Sequence, residues 1–195
     1  MARNRGRPRS FDADLTLKQV YKIFRSNGYA GTSLDDIAQA TGLNRPSLYA
    51  AFGDKRTMYL TAVGMVRDSV IASADRLDAA HLGLRATLDR WLKGSIEAYL
   101  AGDNGPGGCL AICTAVAESV SDAEIRSSLE QVLSVLDERV ARWFELAGDP
   151  DPVGRARLVA AVIHSMSIRA RAGQPREVLD AMADDALAYL VPSER

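Results

Sequence analysis

Apolar residues recur along the chain at the spacing of one helix face. Leu17, Val20, Tyr21 and Phe24 occupy positions i, i+3, i+4 and i+7, which predicts a first helix over about 12–27. The same spacing, interrupted by glycine, proline and capping residues, predicts further helices over about 33–41, 45–52, 54–79, 84–99, 109–120, 125–144, 153–172 and 176–191. Strand-like alternation is absent, so we predict an all-α fold with about nine helices.

The second and third predicted helices are short and meet at a glycine. Ser33 with Asp36 indicates a capped start for the second helix, and Asn44 followed by Pro46 indicates a start for the third. Ala38 provides a small residue at the helix crossing, Gly42 a turn and Leu48 an inward anchor. This pattern predicts a helix-turn-helix that reads DNA, and the alternative is a helical hairpin within a core.

The charges are unevenly divided along the chain. Residues 1–60 carry ten Lys/Arg and five Asp, a net charge of +5, and the remainder carries a net charge of −6. This asymmetry is expected when only the N-terminal part meets phosphate.

Other features narrow the class of protein. Two cysteines are too few for a disulfide scaffold, and neither a signal peptide nor an apolar run of membrane length is present. We therefore expect a cytoplasmic protein without membrane contact. No nucleophile–base set, glycine-rich phosphate loop or metal-ligand spacing is evident. The sequence thus predicts a non-enzyme without a cofactor or a metal.

The helix-turn-helix region resembles the N-terminal domain of the TetR family of bacterial transcriptional repressors. The resemblance covers about residues 8–60 and rests on the runs 28–38 and 42–55. It implies a DNA-binding domain over 1–60, a ligand-binding and dimerisation domain over 61–195, and release from DNA when a small-molecule inducer binds. The chain departs from the family pattern at Ala51, where a polar residue is common, and at Arg56, where an acidic residue is common.

Several residues are candidates for DNA contact. Arg45, Pro46 and Ser47 open the third helix, and the planar fork of Arg45 matches the acceptors of guanine, although a phosphate contact is the alternative. Thr32 and Ser33 at the start of the second helix suit a phosphate. The resemblance adds phosphate contacts from Tyr49 and Lys55.

The N-terminal arm places Arg3, Arg5, Arg7 and Arg9 at alternate positions. We expect Arg5 and Arg7 to enter a minor groove, and the alternative is a solvated basic tail.

The last two predicted helices, about 153–172 and 176–191, are more apolar than one core requires. A pair of such helices from each subunit would form a four-helix interface, and the family resemblance implies that same homodimer. A two-fold dimer predicts a near-palindromic operator.

A ligand pocket is the least constrained prediction. Aromatic, cysteine and histidine side chains within residues 61–195 are candidates to line a ligand pocket, and ordinary core packing is the alternative for each. The candidates are Trp91, Tyr99, Cys109, Cys113, Phe144 and His164. Cys109 and Cys113 share a helix face, which raises a thiol-based redox or electrophile sensor as an alternative function. A body that only dimerises or docks a partner is another alternative.

Overall fold

A computed structural model of the chain describes residues 11–102 and 105–191. Within these residues the fold is entirely helical, as the periodicity predicts. The helices are α1 (Ala13–Asn27), α2 (Leu34–Thr41), α3 (Arg45–Phe52), α4 (Lys55–Ala79), α5 (Leu84–Leu100), α6 (Val116–Glu118), α7 (Ala123–Leu146), α8 (Pro152–Arg171) and α9 (Arg176–Leu190), with a π-helical turn at Ala111–Ala115.

The first four helices begin at capping residues. The Asp12 side chain accepts hydrogen bonds from the first amides of α1, and the Asn44 side chain accepts one from Ser47 at the start of α3. Ser33 and Asp36 form a reciprocal capping box on α2. These caps occupy amide groups that would otherwise lack partners, so the boundaries of the short helices are fixed locally.

Two apolar clusters form the interior. The head core joins α1–α4 to residues 110–115 and to the first half of α7, and it contains Phe24, Ile37, Leu48, Tyr59 and Ile125. Because α4 runs unbroken from Lys55 to Ala79, the sequence-based boundary at residue 60 falls inside a continuous helix. We call residues 11–60 the head and the later described residues the body, and the head packs directly on the body because both contribute side chains to the head core.

The body core lies between α5, the second half of α7, α8 and α9. Trp91 on α5 meets Trp143 on α7 edge to face, with ring centroids 5.1 Å apart. Phe144 is fully buried in the same cluster. Most stabilisation here comes from apolar burial, and the aromatic pair adds a directional contact.

The segment predicted as a regular helix over 109–120 is different in the structure. It contains the π-helical turn Ala111–Ala115, and only Val116–Glu118 is α-helical after that turn. The wider turn lets Leu110, Ala111 and Ala115 all enter the head core. Thr114 meanwhile donates to the Leu110 carbonyl oxygen and shares a 2.7 Å hydrogen bond with the buried Tyr59 hydroxyl.

The outer faces of α8 and α9 expose large apolar side chains. Leu158 and Ile168 on α8 are more than half exposed, and Val178 and Tyr189 on α9 are exposed as well. These residues share one side of each helix, opposite the buried residues of the body core. Such a surface is typical of a protein–protein interface.

Candidate nucleic-acid interface and effector cavity

The geometry of α2 and α3 is that of a helix-turn-helix. Gly42 has a φ of 67°, a left-handed conformation that the turn requires and that glycine adopts without strain. Ile37 and Leu48 are completely buried in the head core and hold the two helices together. Residues on the other side of α3 remain free for a partner.

Arg45 at the start of α3 forms an ion pair with Asp35 on α2. Its Nε donates to one carboxylate oxygen at 2.7 Å, and Nη2 donates to the other oxygen. Both side chains are more than half exposed. The guanidinium is therefore oriented by a carboxylate that DNA would have to displace. The pairing holds the pKa of Asp35 below its ordinary value.

The neighbouring residues of α3 present an open surface. Pro46 and Tyr49 are exposed, and Tyr49 is 47% exposed although its helix neighbour Leu48 is buried. Ser47 uses its amide for the Asn44 cap and is half-buried. Arg45, Pro46, Ser47 and Tyr49 thus occur together on one short, capped helix.

The two residues at the start of α2 that we predict to contact phosphate already have hydrogen-bond partners within the chain. Thr32 is 1% exposed, and its hydroxyl donates to the Gly28 carbonyl oxygen at 2.6 Å. Its amide donates to the Tyr29 carbonyl oxygen, so Thr32 has a structural role in the loop between α1 and α2. Ser33 is exposed, but its hydroxyl is bound to the Asp36 carboxylate at 2.7 Å. That carboxylate repels an approaching phosphate.

Lys55, the other predicted phosphate ligand, is half-buried and engaged in the same loop. Its Nζ donates to the carbonyl oxygens of Tyr29 and Thr32, each at 2.9 Å. The ammonium also lies 4.2 Å from the centre of the Tyr29 ring. Two of its three N–H donors are consumed, so Lys55 fastens the loop between α1 and α2 to the start of α4. The predicted arm residues Arg5 and Arg7 lie outside the described residues.

Arg25 joins the head to the body, a role that the sequence did not indicate. It lies in the last turn of α1, and its Nε donates to the Gly108 carbonyl oxygen at 2.9 Å. Its Nη2 donates to the carbonyl oxygens of Ala98, Tyr99 and Ala101 at the end of α5. The positive charge therefore lies at the negative end of the α5 dipole.

Two further arginines hold the same junction. Arg171 at the end of α8 donates to the carbonyl oxygens of Arg25, at 2.7 Å, and Ser26. Arg56 at the start of α4 pairs with Asp122 and Glu124 at the start of α7. The Arg56 guanidinium holds the pKa of Asp122 well below its ordinary value. This contact fastens the start of α4 to the start of α7.

A cavity of about 490 Å³ lies between α4 and α5, with Tyr21 of α1 and the segment Gly108–Cys109 at one end. Three of the predicted pocket residues line it: Trp91, Tyr99 and Cys109. Burial raises the pKa of Tyr99 above its ordinary value. The volume is within the range of small-molecule sites, and its wall includes the residue whose carbonyl binds Arg25.

Three other predicted pocket residues lie elsewhere. Phe144 is fully buried in the body core. His164 is half-buried on α8, and burial lowers its pKa. Cys113 has its sulfur 3.4 Å from the Ser167 hydroxyl, on the side of the π-helical turn that faces α8. None of these three residues lines the cavity between α4 and α5.

The thiol-sensor interpretation is not favoured by the surroundings of Cys109. The start of a helix lowers a thiol pKa, but burial outweighs that influence and raises the pKa of Cys109 above its ordinary value. The thiol is therefore protonated and weakly nucleophilic at neutral pH. No cluster of three or more metal-ligating side chains occurs among the described residues.

A second cavity, of about 600 Å³, lies at the end of the body where α4, α5 and α7 meet. Its lining includes His81, Leu84 and Leu146, and no residue of α1–α3. Of these two cavities, only the one between α4 and α5 borders the junction with α1, and a smaller cavity of about 270 Å³ lies beside Arg25 at the same junction. None of the helices in the described ranges is both long and apolar enough to cross a membrane.

Comparisons with known proteins agree with this geometry. The sequence profile described as "Bacterial regulatory proteins, tetR family" matches residues 17–62. The HTH-type transcriptional repressor ComR of Escherichia coli K12 is 28% identical over 194 residues, which cover 95% of this chain and 91% of ComR. The HTH-type transcriptional regulator YezE of Bacillus subtilis is 31% identical over 134 residues, which cover 68% of each chain.

One solved structure combines sequence and fold similarity. It is a cysteine mutant of the TetR family transcriptional regulator CifR complexed with 26-bp double-strand operator DNA. The identity is 31%, the alignment covers 93% of this chain and 98% of CifR, and the TM-score is 0.75. A TetR transcriptional regulator from Legionella pneumophila has the same fold, with a TM-score of 0.81 at 15% identity, covering 92% of this chain and 97% of that one.

Proposed function

The chain belongs to the TetR family of bacterial transcriptional regulators, and we propose that it is a homodimeric repressor released from a near-palindromic operator by a small-molecule inducer. Residues 1–60 would supply the DNA-binding part, and residues 61–195 the ligand-binding and dimerisation part. One observation supports the proposal most directly. The start of α3 is exposed, and the head that contains it is hydrogen-bonded through Arg25 to the wall of a cavity of ligand size.

The DNA contact would be made by α3. Arg45, Pro46 and Tyr49 are exposed on this helix, while Leu48 anchors it in the head core. The first residues of a recognition helix meet base edges in the major groove, and a guanidinium can donate two hydrogen bonds to guanine. Arg45 would exchange the Asp35 carboxylate for such a base.

The dimer would form through α8 and α9. Their exposed apolar residues, Leu158 and Ile168 on α8 with Val178 and Tyr189 on α9, would be removed from water in a two-fold interface. This arrangement would fix the distance between two α3 helices, and with it the spacing of the operator half-sites.

Induction would couple the cavity to the head. Gly108 and Tyr99 border the cavity, and both accept hydrogen bonds from Arg25 of α1. A ligand shifts a conformational equilibrium only if it binds the two states with different affinity. A molecule that displaces the end of α5 or the segment Gly108–Cys109 would therefore favour a head orientation that does not fit the operator.

The test is fluorescence anisotropy of a labelled duplex taken from upstream of the gene, at physiological salt. The competitors are the same duplex unlabelled and a duplex of scrambled sequence. We expect a preference of about a thousandfold for the native sequence. Equal competition by the scrambled duplex would contradict the proposed sequence-specific repressor.

A further inference from the structure

The cavity between α4 and α5 has a charge pattern that selects its ligand. Its lining contains two arginines, Arg76 on α4 and Arg90 on α5, and no aspartate or glutamate. Both arginines are exposed at the mouth. Arg76 donates to the Ser73 hydroxyl at 2.8 Å, which holds it beside the cavity, and no carboxylate pairs with either guanidinium within the described chain.

The acidic residues nearby are already paired with other bases. Asp75 pairs with Arg139 at 2.9 Å, and Asp89 pairs with Lys93 at 2.7 Å. Glu97 pairs with Arg176 of α9 at 2.8 Å. The positive charge of Arg76 and Arg90 is therefore not neutralised by the carboxylates of α4 and α5.

One lining residue, Trp91, has a buried indole N–H without an acceptor. Trp91 lines the cavity and is 6% exposed, and its Nε1 is the one buried side-chain nitrogen or oxygen without a hydrogen-bond partner in the part of the chain that the structure describes. An unpaired buried N–H is costly, so it marks a place where an acceptor is missing. Guanidinium and indole groups only donate, and an ionised carboxylate only accepts.

The rest of the lining combines an apolar stretch along α4 with serine and tyrosine hydroxyl groups. Val66, Val70 and Leu77 line it along α4, and the eleven residue steps from Val66 to Leu77 correspond to about 16 Å of helix. Gly94 of α5 faces the space, and a Cβ atom built there meets nothing within 4 Å. The apolar stretch along α4 therefore accommodates an extended hydrocarbon group.

We propose that the effector of this protein is an amphipathic carboxylate, with an apolar chain along α4 and its anionic group at Arg76 and Arg90. This inference rests on the proposed function, because it names the ligand class of the inducer site. The carboxylate would provide acceptors for the two guanidinium groups, and burial of the chain would supply most of the affinity.

The experiment compares three probes that share one alkyl chain: decanoate, 1-decanol and decyltrimethylammonium, all below micelle-forming concentrations. Isothermal titration calorimetry measures binding to the full-length protein, and operator anisotropy measures release. We expect decanoate to bind about tenfold more tightly than decanol, and the cation to bind most weakly.

Matched variants separate charge from shape. Arg76→Gln combined with Arg90→Gln should remove the preference for decanoate over decanol, while Arg142→Gln, an exposed arginine of the other cavity, should leave it intact. Gly94→Leu fills the cavity and should weaken all three probes. Equal binding of the three probes, absence of any binding, or an equal effect of Arg142→Gln would overturn the proposed ligand class.

The outcomes also distinguish this inference from the proposed function. Specific operator binding without any probe binding would leave the repressor standing and overturn the ligand class. Arginine-dependent binding of decanoate without operator release would support the ligand class and contradict induction through this cavity.

Discussion

The Nε of Arg25 lies 2.9 Å from the carbonyl oxygen of Gly108 and joins the last turn of α1 to the wall of the cavity. Gly108 has a φ of 62°, and a Cβ atom there would lie 2.6 Å from the Ser167 carbonyl oxygen, so a larger residue cannot replace it without displacing α8. The contact between Arg25 and Gly108 is thus fixed by α1 on one side and by the close packing of Gly108 against α8 on the other.

Removing this contact should separate operator binding from induction. Arg25→Met keeps the length of the side chain but loses every donor, so we expect specific operator binding to persist while the concentration of inducer needed for release changes severalfold. The free energy of unfolding should fall by about 1–3 kcal/mol, measured in urea, because charge-assisted hydrogen bonds are lost. Lys18→Met, an exposed charge on the same helix, is the control. Unaltered induction in Arg25→Met would contradict the coupling.

Arg45 should determine preference at one base pair. Arg45→Ala should lose about 1–3 kcal/mol of discrimination at a single position of each half-site, measured by anisotropy with a set of single-substituted duplexes. A uniform loss across all duplexes would mean that Arg45 contacts only phosphate.

The partner of Arg45 should restrain DNA binding. Asp35→Asn removes the carboxylate that DNA must displace and one negative charge near the phosphates, so affinity should rise severalfold for operator and scrambled DNA alike. Asp14→Asn, which removes an exposed charge from the first turn of α1, is the matched control for charge. Weaker binding by Asp35→Asn would indicate that the ion pair instead positions Arg45 for the base.

Lys55 should affect stability more than phosphate affinity. Lys55→Met loses two hydrogen bonds to the loop between α1 and α2, and we expect a decrease of about 1–2 kcal/mol in the free energy of unfolding. The slope of log affinity against log salt should stay unchanged. A slope smaller by about 1 would instead identify a phosphate ligand.

The contact of Arg56 with Asp122 predicts a pH-dependent stability. The pKa of Asp122 is depressed in the fold from 3.8, so the pair stabilises the protein above that value and loses its effect as pH falls through the folded-state pKa. Urea midpoints of Arg56→Met should lie below those of the unmodified protein at neutral pH and converge with them in acid. Arg67→Met, whose partner is the adjacent Asp68, should show little pH-dependent difference.

The exposed apolar faces of α8 and α9 should hold the dimer. Leu158→Glu combined with Tyr189→Glu should yield a monomer in sedimentation velocity and weaken operator binding, because a buried charge in the interface lacks a partner. Val120→Glu, at an 80% exposed position outside both helices, should remain dimeric. A dimeric double variant would place the interface elsewhere.

The sequence predicted those features that depend on local pattern. Helix positions follow from the spacing of residues such as Leu17, Val20 and Phe24, and the turn between α2 and α3 follows from Gly42. Trp91, Tyr99 and Cys109 border the cavity, and their contact with a ligand stays a prediction.

Contacts to the main chain were not predictable in this way. Arg25 binds carbonyl oxygens that lie 73 to 83 positions later, and every residue carries a carbonyl, so no side-chain pattern marks the partner. Thr32 and Lys55 likewise donate to backbone oxygens, those of Gly28 and Tyr29, which no side-chain pattern marks in the sequence. The π-helical turn depends on packing of Leu110 and Ala115 into a core assembled from distant segments.

The composition of the head core bears on how DNA-reading heads can be exchanged between relatives. Residues 11–60 do not contain their own complete interior, because Leu110, Ala111 and Ile125 complete the head core from the body. In a chimaera that takes only the head from a relative, the apolar residues of that head would not match the body residues that complete the head core. DNA specificity could be transferred only together with the segment around the π-helical turn and the first half of α7. The sequences of the head and of these body segments must therefore diverge together.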